Sequence, residues 1–321
     1  MATRRRHVSS LDVLTAGEAL VLLAAEAPGA LEHVDRFRRF SAGAELNVAI
    51  GLARLGLRVG YVSRVGDDAF GRFLLAEMAR EGLSAELVTV DATRSTGFML
   101  KSLSAEGADP IVDYYRRGSA ASAMDAAELA RSAPVAARHL HLTGILPALS
   151  AGCRDLAFTL AASARAQGQR VSFDPNLRPR LWASHDDMVA TVNALAAQSD
   201  VMLPGLSEGR LLTGRDSAED IAAFYLDLGA RAVVVKLGPA GAFCADRSGV
   251  RAHVPGTRVQ RVVDTVGAGD GFAVGVISGL LEGLALEAAT RRGNAIGARM
   301  VQFPGDSDGL PTRQELDALA G

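Results

Sequence analysis

"RVVDTVGAGDGFAVGVISGLLEGL" (Arg261–Leu284) places three glycines within five residues, two aspartates around them, and a long apolar run behind. The preceding "RVQRVVD" has the composition of a strand, and "GFAVGVISGLL" that of a buried helix, with Gly267, Ala268 and Gly269 at the junction. A dinucleotide fingerprint requires G-x-G-x-x-G after a strand, and Phe272 stands where its third glycine belongs. The acidic residue that should follow a second strand is also missing, because helix follows instead. A Walker loop requires GK[ST], yet the only lysines are Lys101 and Lys236. What remains is a helix start with small residues. Its unpaired amides and its dipole suit an anion, and small side chains let the anion come close to the backbone. Asp270 falls in the first turn, where a carboxylate can take a proton from a hydroxyl while the amides hold developing charge. Asp264 and Thr265 add a second carboxylate that can organise a metal or phosphates. Charge stabilisation beside a positioned base is the pairing that phosphoryl transfer needs.

Composition sets the frame around this stretch. The chain has 321 residues, 49% of them hydrophobic but only 5% aromatic, so its core is built mainly of Ala, Leu and Val. A formal charge of −2 gives no electrostatic reason to expect nucleic acid or an anionic membrane as partner. Two cysteines, Cys153 and Cys244, are too few for a disulfide framework or a zinc site and are expected in the core. His139 and His141 alternate on one face of a strand, where ordinary core or strand surface is a better reading than a metal pair. The basic start "MATRRRH" resembles a secretory leader, but Glu18 interrupts the apolar stretch behind it and no apolar run is long enough to span a bilayer. A soluble cytoplasmic protein is expected.

Along the chain, strands and helices alternate in the β-α-β rhythm of a parallel sheet covered by helices. "AELNVAIGLARLG" and "DAFGRFLLAEMAREG" read as helices stopped by glycine, and "SAEDIAAFYLDLG" as a helix opened by a Ser-x-x-Asp cap. The rhythm breaks between about residues 83 and 121. There "AELVTV", "STGFMLKSLS" and "PIVDYYRRG" read as successive strands with a turn at "SAEGADP", an antiparallel block projecting from the core.

"DTVGAGDGF" resembles the C-terminal signature of the ribokinase (PfkB) family of carbohydrate kinases. Other segments agree in order: "SAGAELNVAIGLARLG", "RVGDDAFGRFL", "VVVKLGPAGA" and "GNAIGARMVQFPGD". The resemblance covers nearly the whole chain. It implies a single domain over 1–321, a three-layer α/β/α sandwich with a small β-sheet lid drawn from about 19–40 and 83–121. It also implies ATP with Mg²⁺ as phosphoryl donor and a hydroxymethyl group as acceptor. On that reading Asp270 is the base and the Gly267, Ala268 and Gly269 backbone is the anion hole. Gly43 and Asn47 contact the sugar, while Lys236, Gly238, Gly241, Thr265 and Asn294 lie on the nucleotide side. Two departures stand out. Ala42-Gly43 replaces the usual Gly-Gly, and "LPGLSEG" carries Gly205 where an Asn is usual but keeps Glu208, which can hold Mg²⁺-bound water.

The acceptor is addressed by "VDYYRRGSAAS" and "FDPNLRPRLW". On a strand Tyr114 and Arg116 share a face, and Arg178 follows a strand end, the edge where open sheets place ligands. Two guanidinium groups converging on a sugar suit a carboxylate. Both segments resemble those of the 2-keto-3-deoxygluconate kinases, although Met99 stands where a further sugar-facing Tyr is expected. A sugar-acid kinase, with a possible homodimer through the lid, is therefore the leading expectation. A fructokinase or other neutral-sugar kinase is the alternative, and a non-catalytic sugar- or nucleotide-binding protein on the same fold is the alternative of another class. The failed fingerprint disfavours a nicotinamide oxidoreductase.

Overall fold

The computed structural model describes residues 11–103, 110–127 and 137–320. The basic start and most of the turn expected at 104–110 lie outside them. The strands are β1 (Leu11–Ala16), β2 (Leu20–Ala25), β3 (Phe37–Ala42), β4 (Val59–Gly66), β5 (Val88–Asp91), β6 (Phe98–Lys101), β7 (Val112–Tyr115), β8 (Ala137–Thr143), β9 (Arg170–Asp174), β10 (Val201–Met202), β11 (Ala232–Lys236), β12 (Gly241–Asp246) and β13 (Arg251–Pro255). Among the described residues, nine strands form one sheet in the order β13-β12-β11-β10-β9-β8-β1-β4-β5. It is parallel except at β11-β12 and β12-β13. A four-stranded sheet, β3-β2-β6-β7, makes a second layer.

Alternation along each strand divides the core, since successive side chains point to opposite faces. Leu14 and Ala16 of β1, with Val233 and Val235 of β11, pack on the side of the helices Ala151–Ala166, His185–Ala196 and Ala218–Leu228. Val13 and Val234 face the other way, toward Ala44–Arg54, Ala268–Leu281 and Leu286–Met300. The three-layer sandwich is thus as expected. Ser217 caps Ala218–Leu228 by accepting the amide of Asp220, as its Ser-x-x-Asp spacing implies. Cys153 and Cys244 are free and buried. His139 and His141 are fully buried core residues that share the Ser172 hydroxyl at 2.7 and 2.9 Å. Burial drives both imidazoles to pKa values of about 3, so they stay neutral. No group of three or more His, Cys, Asp or Glu among the described residues could hold a metal ion. No described helix is long and apolar enough to cross a membrane.

Two local expectations are corrected. "AELVTV" yields β5, but β5 pairs with β4 at the edge of the large sheet and does not join the second one. Only β6 and β7 of the 83–121 block enter that sheet, where β2 and β3 complete it. "RVQRVVD" forms no strand. Val262 and Val263 are each 41% exposed, and the amides of Val263 and Asp264 bond the carbonyl of Val301, at the end of a helix. With no strand edge offered there, the alternating pattern is satisfied by a loop.

The helices Ala268–Leu281 and Leu286–Met300 cross at glycines. A Cβ at Gly275 would lie 2.5 Å from the backbone nitrogen of Gly293. Helix propensity alone would favour Ala by roughly 1 kcal/mol, whereas overpacking costs about 1–3 kcal/mol. Backbone cannot yield as a side chain can, so Gly275→Ala is expected to destabilise the protein by about 1–2 kcal/mol. Urea unfolding measures the sign.

Candidate active site

Asp270 organises the centre. Gly267, at φ +79°, is the N-cap of Ala268–Leu281 and sets Asp270 in the first turn. Gly271 donates the first helical hydrogen bond, to the Gly267 carbonyl at 2.9 Å, so the intervening amides belong to the turn that lacks intrahelical acceptors. The Asp270 carboxylate is buried. It accepts from Asn47 Nδ2 at 2.8 Å and from Asn176 Nδ2 at 3.3 Å. Burial raises its pKa to about 7. The Asn47 hydrogen bond and the charge of Arg178 pull it down, while Asp174 and Asp306 push it up. A carboxylate at that value is a base matched to neutral pH.

Two cavities meet beside it. One, of about 350 Å³, lies between the second sheet and the carboxyl ends of the parallel strands. The other, of about 630 Å³, is mainly apolar, lies over Ala268–Leu281 and Leu286–Met300, and shares Lys236, Thr265 and Gly269 with the first. A more open hollow of about 760 Å³ lies at the opposite, amino ends of the strands and is walled by arginines such as Arg138 and Arg231. Ligands of open parallel sheets bind at carboxyl ends, and the buried carboxylate is there.

The first cavity gathers Gly43, Asn47, Met99, Tyr114, Arg116 and Arg178 with Asp270, all seven residues expected on the acceptor side. Gly43, at φ +127°, caps the helix carrying Asn47, and a Cβ there would come 2.4 Å from the Glu18 carbonyl. Ala42, by contrast, packs with Leu20, Leu22 and Met99, so its methyl does not narrow the turn. Met99 opposes Tyr114 across β6 and β7. Tyr114 and Arg116 do share a face, with the guanidinium 5.6 Å from the ring centre, and Tyr115 on the other face stacks on Phe98. Arg116 is not an open charge, however. Its Nε and Nη2 reach Glu18 Oε2 at 2.6 and 2.5 Å, both side chains being buried. Arg178 donates instead to the carbonyls of Asn176 and Leu177, which leave its charge uncancelled.

The second cavity gathers Lys236, Gly238, Gly241, Thr265, Gly269 and Asn294 from the nucleotide-side set, with Ala268 on its wall; Gly267 lies in the first. Lys236 Nζ sits 2.6 Å from Asp174 Oδ2. A Cβ at Gly269 would lie 3.6 Å from that ammonium, so the helix start and Lys236 face one point. Asn294 spends its amide nitrogen on the carbonyls of Val254 and Pro255. Glu208 uses both oxygens on backbone amides, Leu177 and Gly205, each at 2.7 Å. It lines the first cavity with Asp174, so a cation bound there through water would meet two carboxylates. That donor set fits a hydrated Mg²⁺ carried on phosphates, not a protein-caged metal.

Several residues escaped the sequence reading. Asn176 holds Asp270 from the "DPN" turn, at φ +38°, a left-handed conformation that Asn tolerates better than most residues. Asp174, at the end of β9, is a buried carboxylate held by Lys236. Glu45 is also buried and accepts from the Thr143 hydroxyl at 2.5 Å, and burial raises its pKa to about 7. The position of "DPN" at a strand end was an available signal; the partners of Glu18 and Glu45 are set only by tertiary packing.

The model of the pfkB family carbohydrate kinases matches residues 10–313. The chain is 50% identical over 307 residues to a 2-dehydro-3-deoxygluconokinase from Bacillus subtilis (strain 168), covering 95% of this chain and 94% of that one. A PfkB protein crystal structure from Polaromonas sp. JS666 is 51% identical with a TM-score of 0.88, covering 96% of this chain and all of that one. A protein from E. coli assigned as a ribokinase II, solved in complex with ATP and Mg²⁺, is 25% identical with a TM-score of 0.86 over 97% of this chain and 99% of its own. The buried Asp270 carboxylate between two cavities thus sits in a chain that belongs to the pfkB family of carbohydrate kinases.

Proposed function

We propose that the protein phosphorylates 2-keto-3-deoxygluconate (2-dehydro-3-deoxygluconate) on its terminal hydroxymethyl group, with ATP as donor, giving the 6-phosphate. The observation that carries the reading is Asp270, a buried carboxylate at the meeting point of a polar cavity with two arginines and an apolar cavity. The similarity to the Bacillus subtilis kinase supports the choice of acceptor. Arg178 meets the sugar carboxylate. Arg116, oriented by Glu18, and Tyr114 bind the polar groups beside it. Gly43, Asn47 and Met99 close the remaining wall. A neutral sugar gives Arg178 no anionic partner, which disfavours the fructokinase alternative.

Asp270 Oδ accepts the acceptor hydroxyl proton as the oxygen attacks, and Asn47 and Asn176 hold the carboxylate in line. The amides at 267–269 face the transferred group, and Lys236 adds positive charge beside them. ATP supplies the γ-phosphoryl group. Glu208 and Asp174 would hold a hydrated Mg²⁺ ion, which would supply charge screening for the phosphates. Lys236, Gly238, Gly241, Thr265 and Asn294 accommodate the nucleotide. The chain acts as one domain, and the second sheet serves as a lid over the sugar. Its outer face carries the exposed Ile111 and Tyr115, which suits pairing between subunits. The reaction belongs in the cytoplasm, where ATP is supplied.

An ADP-release assay over 2-keto-3-deoxygluconate, fructose and ribose tests the acceptor; a faster rate on fructose than on the sugar acid sinks the choice. Asp270→Asn is expected to lower turnover about 10²–10⁴-fold with nucleotide binding retained. A near-normal rate refutes the base assignment.

The pH dependence arises from the same carboxylate. The reactive form is the anion, so kcat/KM rises with pH through about 7. Arg178→Met, which removes a charge that lowers this pKa, moves the inflection upward. The stability sign is opposite. A carboxylate whose folded pKa is raised from 3.8 to about 7 binds its proton better when folded, so its contribution to stability falls as pH climbs between those values. Asp270→Asn therefore melts at no lower temperature than the parent at pH 8, as thermal denaturation would register.

A further inference from the structure

Lys101 ends β6 in the second sheet and is only 4% exposed. Its Nζ lies 2.7 Å from Asp264 Oδ2, 3.2 Å from Asp306 Oδ1 and 3.3 Å from the Pro304 carbonyl. These partners are 163 and more residues away and belong to neither sheet.

Both carboxylates lead directly to the turn at Gly267. The other oxygen of Asp264, Oδ1, accepts the amide of Val266 at 3.0 Å. Val266 precedes Gly267, the residue at φ +79° that starts the helix of Asp270. On the far side, the carbonyl of Asp306 packs against Gly267, where a Cβ would come within 2.6 Å. One ammonium from the second sheet thus grips the segments on both flanks of the turn. A compact point charge suits three oxygens converging on one site, whereas a planar guanidinium does not. In a chain whose only other lysine is Lys236, that choice of side chain is specific.

We propose that Lys101 is a positioning residue for phosphoryl transfer. It ties the second sheet over the acceptor cavity to the shape of the Gly267–Gly269 turn, so the charge-stabilising amides are set only while that sheet is seated. The inference rests on the phosphoryl-transfer reading of the site. It differs from a purely structural ion cluster in acting on turnover beyond any effect on stability.

The test compares the parent, Lys101→Met, and the double variant Lys101→Met/Asp306→Asn, which also removes a carboxylate left uncompensated in the interior. Amide hydrogen exchange is measured first, on protein without ligands, so its outcome does not depend on which acceptor is correct. Residues 262–270 should exchange faster in both variants while the helix beyond them stays as in the parent. Steady-state kinetics are then measured on the acceptor the parent uses best. The double variant should recover the parent's melting temperature to within about 2 °C. Its kcat should remain about 100-fold low, the scale of a small misplacement of reacting groups. KM for ATP should stay within about threefold. Unchanged exchange at 262–270, or parental kcat in the double variant, overturns the proposal. Should Lys101→Met fail to fold, the double variant decides the matter alone. A parent that phosphorylates none of the acceptors refutes the functional reading, while the exchange data still decide whether Lys101 sets the turn.

Discussion

Keeping a carboxylate out of water, yet ready to ionise, is the constraint around which this chain is arranged. Desolvation disfavours the charge on Asp270, and two amides offset part of that cost. They come from the first helix and from the turn after β9, 223 and 94 residues away. A parallel sheet makes this convergence possible, because every β-α unit returns its next strand with the carboxyl end on the same edge. The helix start at Gly267 reaches that edge from a loop, with no strand to guide it, and its shape is fixed by contacts from outside itself.

The ion pairs around the site are mostly buried. Glu18 with Arg116, Asp174 with Lys236, and Asp264 and Asp306 with Lys101 surround the same space. Each joins segments distant in sequence. Removing one partner leaves the other charged in a poor solvent, which costs about 3–5 kcal/mol for a buried pair. Hydrophobic replacements of similar volume often hold a core as well, so an intact buried pair is weak evidence of stability. Arg116 shows the consequence for recognition. Sequence alone presents it as a free cation, whereas in the fold it is an oriented donor whose charge Glu18 balances.

Local pattern made the large sheet legible, because buried parallel strands and glycine-stopped helices each leave a periodic trace. It also singled out Asp270, which the fold buries in the first helical turn beside the polar cavity. Two readings failed where tertiary context chooses between equal local options. β5 has ordinary strand composition, and only the open edge of β4 decides which sheet receives it. The segment 258–264 alternates like a strand but meets a helix end instead of a strand edge. Glu18, Lys101 and Asp306 carry no pattern of their own. Their roles arise from partners that the fold brings near, and for Ala42 and Gly205 the fold likewise settles what an altered motif means: one methyl joins an apolar cluster, and at the other position Glu208 accepts the backbone amide.

The two cavities draw on different parts of the chain. The apolar one is walled entirely by residues from 236 to 301, whereas strands β6 and β7 border only the polar one. Those short strands hydrogen-bond within the second sheet and contribute nothing to the ladder of the large one. Lys101 apart, side chains of these strands meet the polar cavity and leave the lining of the apolar one untouched. A duplicated copy of this gene has in those strands, Lys101 aside, positions where the polar cavity can change in small steps while every residue lining the apolar one is kept.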